Sequence, residues 1–208
     1  MKKQNNSNNK IKSIILQKLK KIVSDEGWSE KVLKQLLQNG VEKSDLVTFF
    51  QYDYKELLKY SLEELNNSLE KEINKINIIN YSLNKRIKKI LMLRFNILNN
   101  DKEFYKKTFY HLLIPSNNKI MKSSLYKSVD TMWYLAGDNS TDFNFYTKRL
   151  ILAVIYVNAL FVLFNKNFDE VESNIDRNLK KISKIPKIKD RISFIKDNIP
   201  VFFKSFIN

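Results

Sequence analysis

Residues 150 to 165, LILAVIYVNALFVLFN, are apolar on every side of a helix except at Asn158 and the closing Asn165. A helix that is hydrophobic all round must be enclosed, either by other elements or by lipid. From Leu150 to Phe164 it would rise only ~22 Å, against a hydrocarbon thickness of ~30 Å, and Asn158 falls near its middle. The run therefore predicts the buried central helix of a helical domain, not a membrane span. The remaining chain has to supply amphipathic helices to cover it.

It does so almost throughout. Ile11, Ile14, Ile15, Leu19, Ile22 and Val23 form a helical stripe closed near Gly27, with Trp28 at the corner. Ser29 is placed to cap a short helix ending at Gln38, with Val32, Leu36 and Leu37 inward and Gly40 as its stop. Another short helix is predicted from Lys43 to Phe50, and a long one from Tyr54 carries Leu58, Leu62, Leu65, Leu69, Ile73 and Ile76. Further helices are predicted from Leu83 to Leu98, Lys102 to Leu113, Met121 to Ala136 and Glu170 to Ile185. Three Gly and three Pro leave little room for hairpin turns, so the fold class is all-α. Two short helices around a tight turn, followed by a long helix, is the order of a helix-turn-helix module. The predicted organisation is a disordered start over residues 1–10, a helix-turn-helix-like module over 11–53, a helical domain over 54–184 and a C-terminal amphipathic helix over 185–208.

Residues 130 to 149, DTMWYLAGDNSTDFNFYTKR, differ from the Lys, Asn, Ile and Leu around them. Met121, Leu125, Val129, Met132, Trp133 and Ala136 bring one helix in, and Gly137 suits the left-handed residue that closes it. Asn139, Ser140, Thr141 and Asp142 offer turn and N-cap chemistry for the next helix. The corner would gather Trp133, Phe143, Phe145 and Tyr146 beside Asp138, Asp142 and Arg149. Aromatics filling a core and aromatics forming a surface patch both fit that composition.

The run D-x-M-W-x-x-A-G-D-x-S-T-D-F-N-x-Y-x-x-R in this span closely resembles the signature of the ubiquinone (coenzyme Q) biosynthesis accessory proteins. These are the ninth-gene products of the yeast coenzyme Q series, with members in mitochondria and alphaproteobacteria. The resemblance implies a TetR-like fold of about nine or ten helices and a non-enzymatic, lipid-binding homodimer. It also implies a partner, the di-iron demethoxyubiquinone hydroxylase, and a ligand, an isoprenoid quinone intermediate or phospholipid. The positions matching the family's docking surface are Met132, Asp142, Phe145 and Tyr146, with Asp138 and Arg149 beside them. The family commonly carries Trp where this chain has Phe145, so an indole N–H is lost there. Trp133, Leu150, Val154, Tyr156, Val157, Leu160, Phe161 and Phe164 would line the lipid site.

The last stretch carries Ile185, Ile188, Ile192, Ile195, Ile199, Phe202 and Phe206 at steps of three or four, with Lys and Arg off the stripe. Such a basic amphipathic helix can pack back on its domain or lie on an anionic bilayer. The family resemblance favours the bilayer, through Lys187, Arg191, Phe194, Ile195, Phe202, Phe203 and Phe206. A net charge of +15 fits a membrane surface or nucleic acid. A TetR-type DNA-binding regulator with a lipid effector is the alternative, but Glu42 and Asp45 in its recognition segment would oppose phosphates. With His111 as the only His, no Cys and no Gly-rich phosphate loop, no metal motif, cofactor site or His-based triad can be assembled, which argues against an enzyme. The Lys, Asn and Ile bias and a start without an apolar leader read as a bacterial cytoplasmic protein, peripheral on the inner face of the inner membrane.

Overall fold

A computed structural model describes residues 2–139 and 143–183, together with Ser193 and Asp197. The described residues form helices and turns, with no strand among them, so the all-α expectation holds. The helices are α1 (Lys2–Glu26), α2 (Lys31–Gln38), α3 (Lys43–Phe50), α4 (Tyr54–Ile73), α5 (Leu83–Asn100), α6 (Lys102–Leu112), α7 (Asn118–Leu135), α8 (Phe143–Asn165) and α9 (Asp169–Ser183). A 3-10 turn, Pro115–Asn117, precedes α7. The order of α1 to α4 is compatible with a TetR-like module.

Three local expectations differ. Helix α1 extends through residues 2–10, where the polarity of the sequence predicts disorder; that stretch contains no Gly or Pro to break it. Ser29 does not cap α2, whose first turn is already formed by backbone bonds from Val32 N to Ser29 O and from Leu33 N to Glu30 O. Helix α8 begins at Phe143, so its 23 residues rise about 34 Å. By length and composition alone, 145–165 could therefore cross a bilayer, contrary to the estimate from the apolar run. Two-thirds of that stretch is buried inside the protein, as expected of a core helix.

The chain forms two compact units, Met1–Glu64 with Asp101–Ile120, and Leu65–Asn100 with Met121–Asn208. In the first, Ile15, Leu19 and Val23 of α1 are buried with Val32 and Leu36 of α2, Leu46 and Phe50 of α3, and Phe104 and Phe109 of α6. Trp28 fills the corner after α1, donating its indole N–H to Thr108 Oγ1 at 2.9 Å and stacking on the His111 ring with centroids 6.3 Å apart. Tyr54 meets the same imidazole edge-on at 5.9 Å.

Burial first, and the nearby charge of Lys55 second, lower the pKa of His111 below its ordinary value of 6.5. The folded unit thus holds His111 neutral where the unfolded chain would already bind a proton. Its contribution to stability is complete above about pH 6.5 and is lost as pH falls through the lowered pKa. Urea midpoints measured from pH 7.5 down to 5.5 should fall for the wild type and fall less for His111→Phe, which keeps a ring but cannot titrate. Parallel pH curves would show that the imidazole is not what titrates.

The second unit is built around α8, which packs against α9 and α5. Leu152, Ile155, Ala159 and Leu163 are buried along it, covered in part by Ile90, Leu91 and Phe95 of α5 and by Val171 and Ile175 of α9. Lys88 on α5 reaches Glu172 at 2.9 Å and Asp176 at 2.8 Å on α9. These carboxylates raise its pKa, so the link stays charged.

Candidate functional site at the α7–α8 corner

Helix α7 ends as its sequence requires. Gly137 has φ +78°, its N–H donates to Tyr134 O at 2.9 Å, and Asp138 N–H returns to Trp133 O at 3.1 Å. This pair of bonds is a Schellman closure, for which a residue in the left-handed conformation is needed. A second constraint acts at the same position. Arg86 donates to Ala136 O at 3.0 Å and also to the carbonyls of Ile79 and Tyr81, and a Cβ on residue 137 would lie 3.1 Å from its guanidinium. A cation placed on the last carbonyls also complements the helix dipole.

The charges of the corner face inward. The Asp138 side chain, 3% exposed, accepts from Lys148 Nζ at 2.7 Å and lies 3.6 Å from an Arg149 terminal nitrogen. Arg149, 8% exposed, donates from Nε to Asp130 at 2.6 Å and from a terminal nitrogen to Phe145 O at 3.2 Å. Its guanidinium lies over the Phe145 ring, 3.2 Å from the centroid. Lys148 is 5.6 Å from the centroid of Trp133, whose buried indole N–H has no acceptor among the described residues. The two helices are therefore held together at this end by ion pairs in which Asp138 and Arg149 are largely removed from water and Asp130 and Lys148 stay partly exposed.

The outward face is aromatic. Tyr134 is 74% exposed, Tyr146 67% and Leu150 48%, and Tyr126 is exposed two turns before Tyr134 on α7. A shallow cleft of about 480 Å³ lies among Glu70, Asp130, Tyr134, Phe145 and Arg149. Exposed aromatics on a rigid support are what protein docking uses most.

Of the residues predicted for docking, the structure presents Tyr146 outward and Phe145 half-exposed. It places Met132 in the core and turns Asp138 and Arg149 into the corner, while Asp142 lies outside the described residues. In the predicted lipid set, Val154, Tyr156, Val157, Leu160 and Phe164 are buried together along α8 and Phe161 is half-buried. Trp133 is buried on α7, whereas Leu150 belongs to the outward face. The membrane set, Lys187, Arg191, Phe194, Ile195, Phe202, Phe203 and Phe206, lies outside the described residues. Sequence reasoning missed Tyr126 and Tyr134; their spacing of eight, off the Met121, Leu125, Val129 stripe, was the available signal. Among the described residues no group of three His, Cys, Asp or Glu could hold a metal ion. On α3 the exposed side chains are Lys43, Ser44, Val47 and Thr48, a face with a single cation.

These features define an all-α protein whose second unit carries an ion-paired helix corner with an aromatic outer face. A sequence model of the COQ9 family matches residues 119–186, which contain that corner and all of α8. The chain is 29% identical over 173 residues to the mitochondrial ubiquinone biosynthesis protein COQ9 of Rattus norvegicus, covering 80% of this chain and 55% of the relative. With the protein of the same name from Homo sapiens it is 27% identical over 173 residues, 80% of this chain and 54% of that one. A probable mitochondrial COQ9 of Dictyostelium discoideum is 36% identical over 75 residues, 33% of this chain and 24% of the relative. The chain is thus a relative of the COQ9 family, and the resemblance read from residues 130 to 149 is borne out. It spans about half the length of the rat and human relatives.

The comparisons overturn the predicted location. The relatives are named as mitochondrial proteins, at odds with the bacterial cytoplasm and the inner face of a bacterial inner membrane. That expectation rested on the Lys, Asn and Ile bias, which reports base composition, and on a start without an apolar leader, and neither encodes a compartment.

Proposed function

We propose that this chain is a non-enzymatic, lipid-binding accessory protein of ubiquinone biosynthesis, working as a homodimer at a membrane surface. It holds an isoprenoid quinone intermediate and presents it to the demethoxyubiquinone hydroxylase. The observation that carries this reading is the exposed pair Tyr134 and Tyr146 on an ion-paired corner, within the segment matched by the family model. Support for the lipid comes from α8, where Val154, Val157, Leu160 and Phe164 form a buried apolar wall running away from that corner. Such a wall offsets the cost of moving a polyisoprenoid tail out of the bilayer, at roughly 0.8 kcal/mol per buried methylene. Against the DNA-binding alternative stands the exposed face of α3, which carries a single cation.

The test is co-expression with a demethoxyubiquinone hydroxylase, capture of the complex, and extraction of the captured protein for lipid mass spectrometry. The double variant Tyr134→Ala, Tyr146→Ala is expected to reduce capture by at least about thirty-fold, the loss of one interface hot spot. Isoprenoid quinone should be recovered from both proteins. Undiminished capture would refute docking at this face, and wild-type protein without quinone would refute presentation.

A further inference from the structure

A single apolar side chain on a surface is ordinary, but a loop pinned at several points to hold one in water is not. Residues 74–82 join α4 to α5, and Ile79 among them is 74% exposed. The chain is fixed on both sides of it. Ile78 is buried, Asn77 Oδ1 accepts the Ile79 N–H at 3.1 Å, and the Tyr81 N–H returns to Ile78 O at 3.1 Å. Arg86, in the first turn of α5, closes the loop by donating from Nε to Tyr81 O at 2.8 Å and from a terminal nitrogen to Ile79 O. Ordering these residues costs conformational entropy, and an Ile side chain left in water returns none of it. Burial against a partner would.

The same guanidinium fixes where the loop lies. Its other terminal nitrogen donates to Ala136 O at 3.0 Å, so Arg86 sets the main chain of Ile79 beside the C-terminus of α7. That is the corner where Tyr134 is exposed. Loop and corner therefore form one continuous face.

A bilayer or a protein could cover an exposed Ile, and the charges of this face distinguish them. From Ile73 to Asn100 the sequence holds no Asp or Glu, and Lys89 lies 5.3 Å from the centroid of the exposed Tyr81 ring. The loop side is thus basic. The cleft at the corner is bordered instead by Glu70 and by the partly exposed Asp130. An anionic bilayer would attract the first and repel the second, whereas a protein surface can meet a mosaic of both signs with its complement. We propose that Ile79 seats in an apolar pocket, bordered by carboxylates near Lys89, on the same protein that docks at the α7–α8 corner. This deepens the docking reading above and rests on it.

The test titrates the purified full chain against a demethoxyubiquinone hydroxylase and compares the wild type with Ile79→Ser, Lys89→Glu and the double variant Tyr134→Ala, Tyr146→Ala, each checked for folding by circular dichroism. Ile79→Ser should weaken binding about tenfold or more, as the loss of an interface anchor does. Lys89→Glu should weaken it about fivefold or more, and by less as salt is raised. Wild-type affinity in Ile79→Ser, with the double variant still weakened, would overturn the proposal and leave docking at the corner standing. No binding by the wild type would sink both. An unchanged affinity in Lys89→Glu would remove the carboxylates from the pocket and overturn that part. The bilayer is tested by sedimentation with vesicles of phosphatidylcholine and phosphatidylglycerol. Loss of sedimentation in Ile79→Ser, with hydroxylase binding unchanged, would assign the loop to the membrane instead.

Discussion

Arg149→Ala is expected to lower the unfolding free energy of the second unit by about 3 kcal/mol, and its melting midpoint by roughly 6–12 °C. The size follows from what the guanidinium leaves behind. Asp138, with a side chain 3% exposed, would lose one of the two cations that meet it among the described residues, keeping Lys148, and the Phe145 carbonyl and ring would lose the Arg149 guanidinium. Removing one member of a largely buried ion pair strands the other charge, which costs more than the pair itself contributes. The control is Asp130→Asn. Asp130 is about two-fifths exposed, so solvent replaces much of what Arg149 supplied, and the loss should stay near 1 kcal/mol or below. Calorimetry of both variants checks the pair of expectations. If Arg149→Ala costs no more than Asp130→Asn, water already reaches the corner and the ion pairs do not hold it. Because Arg149 also orders the Phe145 side of the aromatic face, the same variant should weaken hydroxylase capture in the docking assay.

Trp28→Ala should cost the first unit about 3–5 kcal/mol, the range for truncating a buried aromatic. Trp28 is in the core, lies 5.9 Å from Phe104 by ring centroid, and gives His111 its stacking surface. Its hydrogen bond contributes less than its volume. Thr108 Oγ1, which accepts from the indole, also donates to Phe104 O at 2.7 Å and so keeps a partner when the indole is gone. Trp28→Phe retains most of the packing and removes the N–H, and should cost about 1 kcal/mol. Urea titrations followed by circular dichroism would measure both. Equal losses in the two variants would mean that the hydrogen bond, not the packed ring, holds this corner.

Much of the helical layout was legible because each cue is local. Gly27, Gly40 and Gly137 stand where helices stop, and each has a positive φ. The apolar run from Leu150 to Phe164 announced a helix that had to be enclosed, and α8 is largely enclosed. The length of that helix was underestimated, because Phe143 to Arg149 are helical without being uniformly apolar. The resemblance located the corner that the family model matches, yet it did not say which residues face outward. Met132, Asp138 and Arg149 read as surface contacts and are buried or turned inward, whereas Tyr126 and Tyr134 are exposed.

By itself, the sequence determined the helices, their stops and the chemistry gathered between residues 130 and 149, since all three arise from patterns within a few turns of chain. Only the tertiary structure decided which charges leave water. Asp138 and Arg149 meet across a corner, and Arg94 finds Asn66, Ser128 and Tyr156 from three other helices. The free energy of a charge depends on the dielectric and the partners that distant segments bring to it, and a linear pattern carries neither.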